Sequence, residues 1–181
     1  MAFHQYVKIR TLLLWKVWFT FDFDDTLHEF NKVSGIAAPA AFEHMETYFG
    51  IVFADLKSAY SGILSLKTAN AFADGKGSDE YRKEGFAALV TEFDVVDGPK
   101  LLDGLAQIYN SALGDTLEAK NGALDLIANL KSIKKKVAFI RDGPQDVQEW
   151  TVEKLRFDVD FLATTNFFRT PKIDGLFAKG T

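Results

Sequence analysis

No cysteine occurs among the 181 residues, which removes disulfides, thiol catalysis and thiolate metal centres. The three histidines, His4, His28 and His44, are too scattered to suggest a zinc site and read as ordinary surface or packing residues. Positive charge is also short: 21 Lys and Arg against 25 Asp and Glu give a net charge of −4 and a pI near 5.4. Without a basic stripe there is no generic attraction to nucleic acid or to an anionic membrane, so neither is expected as a partner and any phosphate affinity must be local. Long apolar runs are missing too. Leu12, Leu13, Leu14 and Trp15 follow Lys8 and Arg10 as in a signal peptide, but Lys16 interrupts them and no small-residue cleavage site follows. Residues 1–16 therefore read as a short extension of a cytoplasmic protein. Repeats, low-complexity tracts and linkers are absent from the sequence. What the chain does have is 48% hydrophobic residues, 17 of them Phe, enough for one core with an insertion.

Residues 17–27, VWFTFDFDDTL, form an apolar, strand-prone segment that stops at carboxylates spaced two apart. Side chains alternate along a strand, so Asp22 and Asp24 are expected on one face, at the carboxyl end where open α/β sheets place their ligands. A carboxylate with an unperturbed pKa of about 3.9 is ionised at neutral pH and attacks without a base. Asp22 suits that role. Attack on phosphorus gives an aspartyl-phosphate, and Asp24 can protonate the departing oxygen and then activate the hydrolytic water. Two carboxylates repel a phosphate dianion, so the chemistry calls for Mg2+, with Asp22 and Asp24 as its expected ligands. Asp25 faces the other way and reads as a turn residue, and Thr26 as a loop anchor through backbone hydrogen bonds.

This D-x-D-x-T-L resembles the first motif of the haloacid dehalogenase (HAD) superfamily, most of whose members are Mg2+-dependent phosphatases with an aspartate nucleophile. Residues 137–146, VAFIRDGPQD, look like the second motif, and residues 164–177 are similar to the segment carrying the third, whose lysine is Lys172. The resemblance implies an α/β fold: a Rossmann-like core with a parallel sheet over residues 17–31 and 119–181, and an inserted α-helical cap over 32–118. It also implies a small phosphorylated molecule as ligand, with Arg141, Asp142 and Lys172 contacting the phosphate. Two departures stand out. Arg141 occupies the place of the family's phosphate-binding Ser or Thr, and the sequence ends before a fourth motif, whose acids would complete the Mg2+ shell. Asp158 and Asp160 precede Lys172 and cannot replace them. In the family the strand bearing that motif borders the first strand, so an apolar edge is expected at residues 17–24, covered by the 12–15 segment, by a second chain in an oligomer, or by more of a longer protein.

The departures favour a phosphatase-type hydrolase of weak or lost activity, with Arg141 paired to Asp22 and filling the phosphoryl pocket. The alternatives are a phosphate-ligand-binding or interaction protein and a haloacid dehalogenase. A halide leaves without a proton, so Asp24 argues for phosphoryl chemistry. Helical spacing of Leu56, Tyr60 and Ile63, of Phe86, Leu89 and Phe93, and of Leu101, Leu105, Ile108 and Ala112 predicts about four cap helices. Tyr81, Arg82 and Lys83 read as solvated or packing residues with a lesser chance of meeting substrate. The basic run 131–136 reads as a helix end. A helix from Gln145 to about Arg156 is expected to turn Val147, Trp150 and Leu155 inward, before a strand over 159–163.

Overall fold

The structure, a computed structural model, describes residues 15–67, 76–96 and 99–164. Three strands, β1 (Trp18–Asp22), β2 (Lys136–Arg141) and β3 (Phe161–Thr164), form a parallel sheet in the order β1-β2-β3. Register runs from Trp18 opposite Lys136 to Asp22 opposite Ile140, and from Ala138 opposite Phe161 to Arg141 opposite Thr164. Parallel strands need long crossovers. Between β1 and β2 the chain inserts α1 (Phe30–Phe49), α2 (Phe53–Lys67), α3 (Ser78–Glu92) and α4 (Pro99–Thr116), then returns through α5 (Ala123–Ser132); α6 (Gln145–Leu155) joins β2 to β3. This is an α/β, Rossmann-like core carrying a helical cap.

Two separate cores follow from that order. Beneath the sheet, Phe23, Leu27, Ile127, Val137, Phe139 and Phe157 are buried together. Phe139 stacks on Phe23 at 4.8 Å between ring centroids and meets Phe157 edge-on at 5.4 Å; burying each such ring contributes about 1.5–3 kcal/mol. Asp160 holds the β2 and β3 ends together by accepting from Val137 N and Lys131 Nζ, both at 2.8 Å. Lys131 and its partners Asp158 and Asp160 are therefore structural, as the sequence suggests. In the cap, Phe42, Met45, Leu56, Tyr60, Phe86, Leu89 and Leu105 form the second cluster, in line with the helical spacing.

Cap and core meet at two adjacent chain crossings. Lys120 N donates to Leu27 O at 2.9 Å and Glu29 N to Glu118 O at 3.2 Å, while Lys32 pairs with Glu118. Pro39, inside α1, has no N–H to donate to the carbonyl of Gly35 one turn earlier. Trp150 departs from expectation: it is 36% exposed, and α6 instead buries Gln148 and Thr151. The Thr151 hydroxyl can turn inward because it bonds the Val147 carbonyl at 2.7 Å, and the Trp150 ring instead lies beside α4, where a Cβ on Gly114 would sit 3.4 Å from it. β3 begins at Phe161, two residues later than the sequence suggests.

Candidate active site between core and cap

Just past β1 the chain folds back, with Leu27 N and Thr26 N both donating to Phe23 O, at 2.9 and 3.3 Å. The turn passes through Asp25 at φ 54°, a left-handed conformation that Asp tolerates better than bulkier residues. Asp25 Oδ1 accepts from Asn31 N at 2.9 Å and so holds the start of α1, a structural role. The Thr26 hydroxyl donates to Asp22 Oδ2 at 3.2 Å. Thr26 thus steadies the first carboxylate as well as the loop, because the turn brings it back over the strand end.

Asp24 is only 4% exposed. A carboxylate so placed needs partners, and each oxygen has one. His28 Nε2 lies 2.7 Å from Oδ1; Arg141 Nε lies 2.5 Å from Oδ2. The arginine contact is a charge pair whose N–H is not aligned on the oxygen as in a hydrogen bond. It also corrects an expectation: the pair Arg141 forms is with Asp24, the second acid. Asp22 sits opposite Ile140, and β1 ends there, before the register reaches Arg141. The chain beyond has already bent, which sets Asp24 next to the guanidinium. Phe30 lies under that guanidinium at 5.8 Å.

His28 is the residue that sequence reasoning missed. It is 1% exposed, held by bridges to Asp24 and Ala119 and tilted against Phe23 at 4.6 Å. Donation to the Asp24 carboxylate places a proton on Nε2, and the buried Nδ1 has no hydrogen-bond partner. Its spacing of four from Asp24, across the Asp-Thr turn and between Phe23 and Phe30, was the available signal. His44 behaves as expected, its ring tilted against Tyr48 at 4.4 Å.

The floor continues into Asp142, Gly143 and Pro144, which line the same cavity as Asp24 and Arg141. Gly143 has φ 146°, and a Cβ there would come 3.2 Å from Gln148 Nε2, so a side chain at this position would be strained. Lys172 lies outside the described residues. The cavity, about 690 Å³, is walled by cap residues including Phe30, Phe42, Tyr60, Tyr81, Arg82 and Tyr109. Burial pushes the Tyr60 hydroxyl up to about 12. Tyr109 is raised by burial as well, against the opposing Arg82 charge; that guanidinium lies 4.4 Å over the Tyr109 ring and bonds Asn110. Tyr81 and Arg82 thus reach the cleft, whereas Lys83 is drawn between Asp103 and Asp79, at 2.7 and 2.9 Å, which raise its pKa.

As a metal centre the arrangement is incomplete. Among the described residues no group of three or more His, Asp or Glu side chains is placed to hold an ion, and Asp24, one of two expected ligands, is engaged at both oxygens by His28 and Arg141. These residues alone do not fit Mg2+. No helix among the described residues is long and apolar enough to cross a membrane.

Neither a protein-family model nor a curated protein sequence matches the chain. Solved structures do. The HAD-hydrolase YfnB from Bacillus subtilis, described as bound to magnesium, superposes with a TM-score of 0.59 at 24% identity, over 83% of this chain and 65% of that one. A structure assigned as beta-phosphoglucomutase from Thermotoga maritima gives 0.58 at 16% identity, over 83% and 62%. L-2-haloacid dehalogenase from Xanthobacter autotrophicus gives 0.55 at 17%, over 87% and 60%. The chain spans a little under two thirds of the length of these structures, and what it shares with them is the fold.

Proposed function

Starting from a fold that is that of the HAD-superfamily hydrolases, we propose that the chain is a phosphomonoester hydrolase of that type, with turnover held low by the clamp on Asp24. Asp22 is the nucleophile: its carboxylate oxygen attacks phosphorus, the ester P–O bond breaks, and an aspartyl-phosphate forms. The leaving alkoxide takes a proton from Asp24, which then draws one from the water that attacks the phosphorus and frees Asp22. Arg141 and Asp142 border the phosphoryl site.

The observation that carries the proposal is the seating of Asp24 between His28 and Arg141. A second carboxyl group benefits an alkoxide leaving group and offers halide departure nothing, which favours phosphoryl transfer over dehalogenation. Both oxygens of Asp24 are already engaged, so neither is open to a leaving group, which favours slow turnover and leaves phosphate-ligand binding as the second reading. The family resemblance implies Mg2+, and the incomplete donor set argues for weak Mg2+ binding in the absence of a phosphate ligand.

Hydrolysis of an aryl phosphate, followed with and without Mg2+ for the chain and for Asp22→Asn, tests the reading. We expect slow phosphate release that Asp22→Asn abolishes. Release that survives in Asp22→Asn refutes the mechanism.

A further inference from the structure

We infer that the cleft takes the phosphate monoester of an apolar, ring-bearing alcohol, its phosphoryl group on the core floor and its organic part among the cap helices. The inference rests on the phosphomonoester reading and adds the class of leaving group. Size is the first argument. At about 690 Å³, the cavity lies in the range of about 300–1,000 Å³ that holds drug-sized ligands, and an acid of two or three carbons leaves most of it empty.

Wall chemistry is the second argument. Sugars are held by carboxylates and amides that pair with vicinal hydroxyls, yet no acid lines the cavity from the four cap helices; its acids, Asp24 and Asp142, both lie on the core floor. The cap contributes mostly rings and aliphatic groups, with Asn31, Ser34 and Ser61 among them, and its charged lining residues are the cations Lys57 and Arg82. Phe42 and Tyr60 are 2% and 8% exposed and meet edge-to-face at 5.3 Å, so the inner wall is already packed. Of the small polar groups, Ser78 is bound to Asp146. Such a wall favours an apolar body attached to an anion and gives a polyol few partners to replace its water.

Gly35 offers a way to test this from inside the cavity. It lines the wall, and a Cβ built on it meets nothing within 4 Å, so a large side chain there fills ligand space. Binding should be measured by calorimetry on the full chain with three probes: methylphosphonate, 1-naphthylmethylphosphonate, whose C–P bond is not hydrolysed, and glucose 6-phosphate. We expect the naphthyl compound to bind at least about tenfold tighter than methylphosphonate, as burial of a ring system predicts, and glucose 6-phosphate to gain nothing over methylphosphonate. Gly35→Trp should remove the naphthyl advantage and leave methylphosphonate unchanged. Leu64→Glu, at a rim position 44% exposed, should reduce the same advantage without threatening the fold. Equal affinity for all three probes, with methylphosphonate bound, overturns the inference and leaves the phosphomonoester reading standing. Failure of every phosphonate to bind overturns both.

Discussion

A carboxylate as buried as Asp24 persists only while its oxygens are satisfied, and His28 is the partner on one of them. His28→Leu keeps the apolar contact with Phe23 but removes the donor, so Oδ1 loses its bond while Arg141 still holds Oδ2. Stability should fall by about 1–3 kcal/mol, read as a lower denaturant midpoint, with part of the loss recovered in His28→Gln, which can donate again. An unchanged midpoint in His28→Leu would mean that the bond contributes nothing. Asp22, Asp24 and Arg141 were legible in the sequence because an apolar strand ending in spaced acids, with an arginine ending a second strand, restricts where they can lie. Their pairing was not legible. It depends on where β1 stops and on the left-handed backbone at Asp25, which bend Asp24 towards Arg141 and return His28 beneath it. Neither event leaves a periodic trace.

At the scale of elements, the amino terminus of α3 shows how the cap is tied down away from its two crossings. Gly77 precedes the helix with no side chain to cap it, and Glu80 covers Gly77 N at 3.0 Å. The next amide, Ser78 N, is met from the core: Asp146 of α6 accepts it at 3.0 and 3.1 Å and accepts the Ser78 hydroxyl at 2.8 Å. One carboxylate thereby serves two helix starts, since it also sits in the first turn of α6. Asp146→Ala should cost about 1 kcal/mol, the usual loss for a helix cap, and should speed amide hydrogen exchange at the start of α3 while leaving β2 protected. Unaltered exchange at residues 78–81 would show that the contact does not hold the cap. The helices themselves were readable, because Leu56, Tyr60, Phe86, Leu89, Leu101 and Leu105 recur at helical spacing and all become buried. On α6, Leu155 packs against the core as expected and only Trp150 was misjudged, because a large ring looks more apt for burial than Thr151, whereas a hydroxyl that bonds its own helix can be buried at little cost.

For the whole molecule, the fold places two acids, Asp24 and Asp142, and the cation Arg141 at the base of a cleft walled by cap helices, with Asp22 at the end of the neighbouring strand β1. In the proposed function, phosphomonoester chemistry is restrained by one residue: the Arg141 guanidinium, delivered by β2, occupies Asp24 and stands where the resemblance expects a hydroxyl. A charge-assisted contact of that kind is stronger than the neutral hydrogen bond replacing it in Arg141→Ser. If the arginine chiefly restrains Asp24, its removal frees the proton donor; if it chiefly grips substrate, removal weakens binding. The direct measurement is the rate of phosphate release from an aryl phosphomonoester by the chain and by Arg141→Ser, side by side in Mg2+. We expect a rise of about tenfold or more, the equivalent of roughly 1.4 kcal/mol off the barrier. Measurable release by the unaltered chain that falls in Arg141→Ser would contradict it.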